Sequence, residues 1–201
     1  IPAVLVIFAA ACSGDSPGMR PLPEDAVVLA FGDSLTAGYG AEPGSAYPAV
    51  LEGEINRRVI NAGVNGETTN RALERLPAVL DQTRPALTLV CLGGNDMLRR
   101  IPDSVISANL KAMIELIREA GSRAVLIAVP RPGLMVRPAT LYEEVAEESG
   151  VYLIEKLMSE VLSAPALKYD YLHPNAAGYR RIAAGIAEHL REAGALKREE
   201  P

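Results

Sequence analysis

Ser34 stands at the end of Val27-Val28-Leu29-Ala30-Phe31-Gly32-Asp33-Ser34, an apolar, strand-like run that terminates in a hydroxyl. A serine at the carboxyl tip of a parallel strand sits where α/β proteins place their chemistry. To attack an acyl carbon it must lose its proton, so it needs a base within hydrogen-bond reach. The chain has only 2 histidines. His189 lies beside Glu188 and Leu190 in a stretch of helical period and reads as a surface residue. His173 lies in Asp170-Tyr171-Leu172-His173-Pro174, where a carboxylate can reach Nδ1 and leave Nε2 facing outward. Taken alone, Asp-x-x-His-Pro is more often a helix-capping turn. Joined to Gly32-Asp33-Ser34-Leu35 and to Gly93-Gly94-Asn95-Asp96, each after an apolar run, it reads as the orienter and base of a nucleophilic serine, in the order Ser34, Asp170, His173.

Two rival chemistries fit less well. The α/β-hydrolase nucleophile elbow needs Gly-x-Ser-x-Gly, and Ser34 is followed by Leu35-Thr36. Asp33, Asp96, Asp170, His173 and Asn95 could furnish an oxygen-rich metal site, but no ligand pair has firm metal spacing. Asp33 is expected instead to hold its loop through backbone hydrogen bonds. No metal or cofactor is expected. Cys91, inside Leu87-Thr88-Leu89-Val90-Cys91-Leu92, reads as a small buried core residue.

The elements that must position these groups follow from periodicity. Apolar runs at Val27 to Phe31, Arg58 to Ala62, Ala86 to Leu92, Ala124 to Val129 and Val151 to Ile154 alternate with helical segments. The helices are expected at Ala46 to Arg57, Thr69 to Gln82, Asp103 to Ala120, Ala139 to Ser149 and Asn175 to Ala193. Asp103 is expected as a cap and Pro174 as a first helical residue. The alternation predicts an α/β fold, a three-layer α/β/α sandwich around a five-stranded parallel flavodoxin-like sheet. In it, all four motif loops share one edge.

The 201 residues suit one domain, with hydrophobic residues at 49% and charged ones at 22%. A net charge of −5 offers no basic surface for nucleic acid, and the absence of Trp with only 2 Phe leaves few broad stacking platforms. Two cysteines exclude a disulfide framework.

The segments around Ser34, Asn61 to Thr68, Gly93 to Asp96 and Asp170 to Pro174 resemble the SGNH hydrolases, the GDSL family of esterases and lipases. The resemblance spans about Val27 to Leu190. It is closest to the bacterial arylesterase, acyl-CoA thioesterase and lysophospholipase branch. It implies hydrolysis of small-molecule esters or thioesters through an acyl-serine intermediate. It further implies an oxyanion hole in which the Ser34 N–H is joined by the Gly66 N–H and the Asn95 side-chain amide. Gly66 has no side chain to block approach, and Asn95 offers uncharged donors; Gly63, in the same loop, is the alternative to Gly66. A carbohydrate O-deacetylase or a catalytically inactive binding protein would use the same scaffold. Acyl-chain selectivity is expected from apolar side chains beside the motifs: Leu35, Met97, Leu98, Leu134, Met135 and Leu172. About half of these are expected to be core instead.

Residues 1–11 are almost wholly apolar and too short to span a bilayer, which needs about 20 residues. Without an initiating Met or a basic front they read as a signal-peptide core cut short. Small residues running into Cys12 resemble a bacterial lipobox, with Ala9 where that pattern usually has Leu. Cys12 is therefore a lipidation candidate, and an exported protein, periplasmic or anchored to a membrane, is expected. Residues 12–25 read as a linker, 26–195 as the catalytic domain and 196–201 as a tail.

Overall fold

The computed structural model describes residues 18–133 and 136–197. Cys12, Leu134 and Met135 lie outside the described residues. Five strands form one parallel sheet: β1 (Val27–Gly32), β2 (Arg58–Gly63), β3 (Leu87–Cys91), β4 (Arg123–Ile127) and, after a two-residue hairpin pair β5 (Pro130–Arg131) and β6 (Arg137–Pro138), β7 (Tyr152–Ile154). The order β2-β1-β3-β4-β7 is the flavodoxin-like order expected from the alternation. β1 and β3 are apolar and almost entirely buried, as parallel strands covered on both faces must be.

Between the strands run α1 (Ser34–Ala37), α2 (Tyr47–Ile55), α3 (Thr69–Thr83), α4 (Gly94–Leu98), α5 (Asp103–Glu119), α6 (Leu141–Ser149), α7 (Leu157–Ser163) and α8 (Ala176–Glu192). The five long helices match the expected segments to within two residues at each end. The caps differ. Pro102 caps α5 and Asp103 is its first residue, where its charge still complements the helix dipole. The cap of α8 is Asn175, whose Oδ1 accepts the Gly178 N–H at 3.0 Å. Pro174 stays outside the helix, bridged to Lys168.

The amino-terminal stretch expected as a linker is packed down from residue 18. The Met19 N–H donates to Ala193 O and the Leu22 N–H to Ala195 O, and Leu22 is buried. Leu196, expected in the tail, is buried too.

The winding direction reverses between β1 and β3, which opens a crevice at their carboxyl ends. Gly63, at the end of β2, packs directly on α1: a Cβ there would stand 2.1 Å from Ala37 N. From the other side, the Tyr179 hydroxyl of α8 donates to Tyr39 O at 2.8 Å and to Ser34 O at 3.5 Å. The short α1 is therefore held between the second strand and the last helix.

Candidate active site

Ser34 is the first residue of α1, and Asp33 is its cap, accepting the Leu35 N–H on Oδ1 at 3.0 Å. This turn aims the Ser34 hydroxyl at His173 Nε2, 3.1 Å away. On the other side of the ring, Nδ1 lies 2.9 Å from both Asp170 oxygens. A carboxylate at Nδ1 calls for the proton there, which leaves Nε2 free to accept from Ser34. Asp170 Oδ1 also accepts the backbone N–H groups of Leu172 and His173, at 2.7 and 2.9 Å. The two readings of Asp-x-x-His thus combine, since one carboxylate shapes the turn and orients the ring. Partial burial pulls the Asp170 carboxyl upward, but the His173 ring and the two backbone donors outweigh it and hold the group below its usual range. His189 is remote, bonded to Tyr152 Oη at the amino end of β7 and near Glu192.

Asn95, second residue of α4, directs Nδ2 into the crevice floor, donating to Asp33 Oδ2 and to Glu67 O, both at 3.0 Å. Both amide hydrogens are engaged in the free protein. Gly66 is exposed with φ of 74°, and its carbonyl accepts from Arg99 Nη2 at 3.0 Å. It sits beside Glu67 on the same edge but outside the cleft wall. Gly63 is consumed by its contact with α1.

Beneath the site lie three buried carboxylates. Glu67 takes both a 2.7 Å and a 2.6 Å bond from Arg75, whose guanidinium also caps Ala62 O and covers the Phe31 ring at 4.1 Å. Asp96 accepts the backbone N–H and the hydroxyl of Thr69, fastening α4 to α3. Asp33 has no cation against it. Burial raises its pKa from 3.8 to about 7, the Leu35 N–H and Asn95 amide lower it, and Asp96 and Glu67 raise it again. Among the described residues, no group of three or more His, Cys, Asp or Glu could hold a metal ion. Cys91 is buried, and burial pushes its thiol well above the ordinary range, which suits a core residue rather than a nucleophile.

A cleft of about 340 Å³ opens beside Ser34 and His173, within the range of small-molecule sites. Leu35, Leu98 and Leu172 line it, as expected. Met97 does not: it is buried in the core, because successive residues of α4 point to different faces and only Leu98 faces out. Pro132, Gly133 and Val136, which flank the undescribed pair Leu134 and Met135, belong to the wall. Sequence reasoning missed Val129, Leu162, Lys168 and Tyr171, also on the wall. It also missed Tyr39, whose ring lies 4.5 Å from the His173 ring, and Tyr169, edge-on to Tyr39 at 6.2 Å. The signal available was the pair of tyrosines flanking Asp170.

The arrangement can deprotonate a serine in an apolar cleft, which is what acyl transfer requires. The profile of the GDSL-like lipase/acylhydrolase family matches residues 30–181. An arylesterase of Vibrio mimicus is 35% identical over 174 residues, covering 81% of this chain and 87% of its own. Thioesterase 1/protease 1/lysophospholipase L1 of Escherichia coli K12 is 33% identical, with 81% and 82% covered. Among solved structures, the psychrotrophic esterase EstA from Pseudoalteromonas sp., inhibited by monoethylphosphonate, superposes with a TM-score of 0.76 at 26% identity, covering 84% of this chain and 98% of that one. With its sheet order, its serine–histidine–aspartate relay and these relatives in agreement, the chain belongs to the GDSL-like lipase/acylhydrolase family, the SGNH hydrolases, and is a carboxylic-ester hydrolase.

Proposed function

We propose that Ser34 is the nucleophile, His173 the general base and Asp170 its orienter, acting on carboxylic esters and on acyl thioesters or lysophospholipids. The observation that carries this reading is the continuous relay of 3.1 Å and 2.9 Å bonds from Ser34 through His173 to Asp170. The Ser34 Oγ–acyl carbon bond forms as the serine proton moves to Nε2. Collapse of the tetrahedral species breaks the bond to the leaving alcohol or thiol, which takes that proton. Water then gives its proton to Nε2, attacks the acyl-serine, and releases the acid with Ser34 reprotonated. The oxyanion is met by the N–H groups of Ser34 and Gly66 and by Asn95 Nδ2. For Asn95 this means exchanging one of its two present acceptors, Asp33 Oδ2 or Glu67 O, for the developing charge.

A rate profile over p-nitrophenyl esters of increasing chain length, with palmitoyl-CoA and a lysophospholipid alongside, tests the reading. Turnover of short to medium esters is expected, and the absence of any turnover would refute it. A second reading, carbohydrate O-deacetylation, is favoured by one observation: Tyr39, Tyr169 and Tyr171 are exposed around His173 and offer ring faces to a sugar. Faster release of acetate from an acetylated sugar than from p-nitrophenyl butyrate would select it.

Export and lipid attachment at Cys12 belong to the same proposal, supported by the apolar residues 1–11 and the small residues before the cysteine. Cys12→Ser should move the protein from the membrane fraction to the soluble one.

A further inference from the structure

The donors assigned to the oxyanion stand on different elements: Ser34 opens α1, Gly66 lies in the loop after β2, and Asn95 belongs to α4. They act together only if all of them converge at about 2.7 to 3.1 Å on one point. In the free protein Asn95 Nδ2 ties the parts, donating to Asp33 Oδ2 beside Ser34 and to Glu67 O beside Gly66, both at 3.0 Å. One of those bonds is surrendered when Asn95 turns to the developing charge. Another contact must then keep the loop in register with the nucleophile.

Arg75, in the second turn of α3, reaches every part concerned. Its Nε and Nη2 donate to the two carboxylate oxygens of Glu67 at 2.7 and 2.6 Å, a forked pair. Nη2 also donates to Ala62 O at 2.8 Å and, more weakly, to Gly32 O at 3.4 Å. Gly32 ends β1, Ala62 stands next to the end of β2, and Gly32 O also accepts the Val64 N–H at 3.0 Å, where the loop begins. One guanidinium therefore joins the strand that leads to Ser34, the strand that leads into the loop, and the residue next to Gly66. Glu67 is buried and Arg75 largely so, with the Phe31 ring 4.1 Å from the guanidinium, so water screens the pair little. The other side-chain hold on Gly66, from Arg99 Nη2 to its carbonyl, is exposed. The helix itself does not favour this placement, because a cation reaching back toward the amino end of its own helix opposes the dipole.

We propose that Arg75 is a positioning residue of the hydrolysis, holding Glu67, and with it the Gly66 N–H, in register with Ser34 while Asn95 changes partners. The inference rests on the nucleophile and oxyanion assignment made above. Lysine keeps the charge and loses the fork, so Arg75→Lys tests geometry rather than charge. Arg75→Met alone would leave Glu67 as an unpaired buried carboxylate and destabilise the fold. The second variant is therefore Arg75→Met/Glu67→Gln, which removes both charges together. Both are assayed on p-nitrophenyl butyrate, with kcat counted per serine labelled by an organophosphonate so that unfolded protein does not enter the rate.

Arg75→Lys should lower kcat about tenfold and the paired variant about 10², with KM moving less than about twofold in both. A boronic acid, whose tetrahedral adduct with a serine puts an oxygen where the oxyanion forms, should lose affinity by the same factors as kcat/KM. Parental kcat per labelled serine in both variants, or a loss confined to KM, overturns the proposal. So does a lower urea midpoint with parental kcat, which would make the pair purely structural. A parent with neither turnover nor a labelled serine would refute the hydrolase reading and this inference with it, whereas an active parent with unchanged variants sinks the positioning role alone.

Discussion

Asp33 accepts from the cap of its own helix on one oxygen and from Asn95 on the other, with no cation to balance it. Its carboxyl titrates near pH 7 in the folded protein against 3.8 in a free chain. Because the folded pKa is the higher, the contribution to stability is complete below about pH 4 and is lost as pH rises through 7. Asp33→Asn removes that dependence. The stability of the parent relative to the variant should therefore fall between pH 4 and 8, by up to about 4 kcal/mol, read by urea denaturation at several pH values. Ser34→Ala should lower kcat by about 10⁴ to 10⁶ without moving the urea midpoint, and an organophosphonate should label Ser34 alone. Labelling at Cys91 would contradict the relay. Asn95→Ala should lower kcat by about 10² to 10³, with KM changing less; a rise in KM alone would mean that the amide only positions substrate. That Ser34, Asp170 and His173 come within hydrogen-bond reach of one another was legible because few residue types can form such a relay and the chain has only two histidines. Lys168, Tyr39 and Tyr171 were not, since a cleft wall assembled from loops leaves no period in the sequence.

At the scale of elements, the site depends on α1 being held in place from outside, because a helix of four residues has no stability of its own. Gly63→Ala would press a methyl group into the Ala37 backbone and tilt that helix. Such overpacking should cost about 1 to 3 kcal/mol, and the displaced serine should lower kcat by up to about 10². Urea denaturation and steady-state kinetics on p-nitrophenyl butyrate would read the two effects separately. The strands and the five long helices could be read from the sequence because burial on fixed faces imposes periods of 2 and 3.6. Helices α1, α4 and α7, at 4, 5 and 7 residues, are too short to show a period, and tertiary contacts decide them. The capping errors have a similar origin. Asp and Pro suit both the cap and the first turn, so only the chain path decides between Pro102 and Asp103, or between Pro174 and Asn175.

Across the whole molecule, the first and last described segments meet, with residues 19–22 lying along the segment that follows α8. Leu22→Ala should cost about 2 kcal/mol by urea denaturation and leave kcat unchanged, since the contact is at the edge away from the cleft. The strap escaped the sequence reading because its prolines and glycine look like linker, and only Leu22 reaches the core. The same long-range closure governs the order of events in the chemistry. The proposed nucleophile opens the short helix that follows β1, while its proposed base, and the tyrosine of α8 that secures that helix, lie 139 and 145 residues further along the chain. A nascent or truncated chain ending before His173 holds a serine with nothing to deprotonate it. On the proposed assignment hydrolysis begins only when the last helix docks, which would make esterase activity a clock for completed folding and keep every unfinished copy chemically silent.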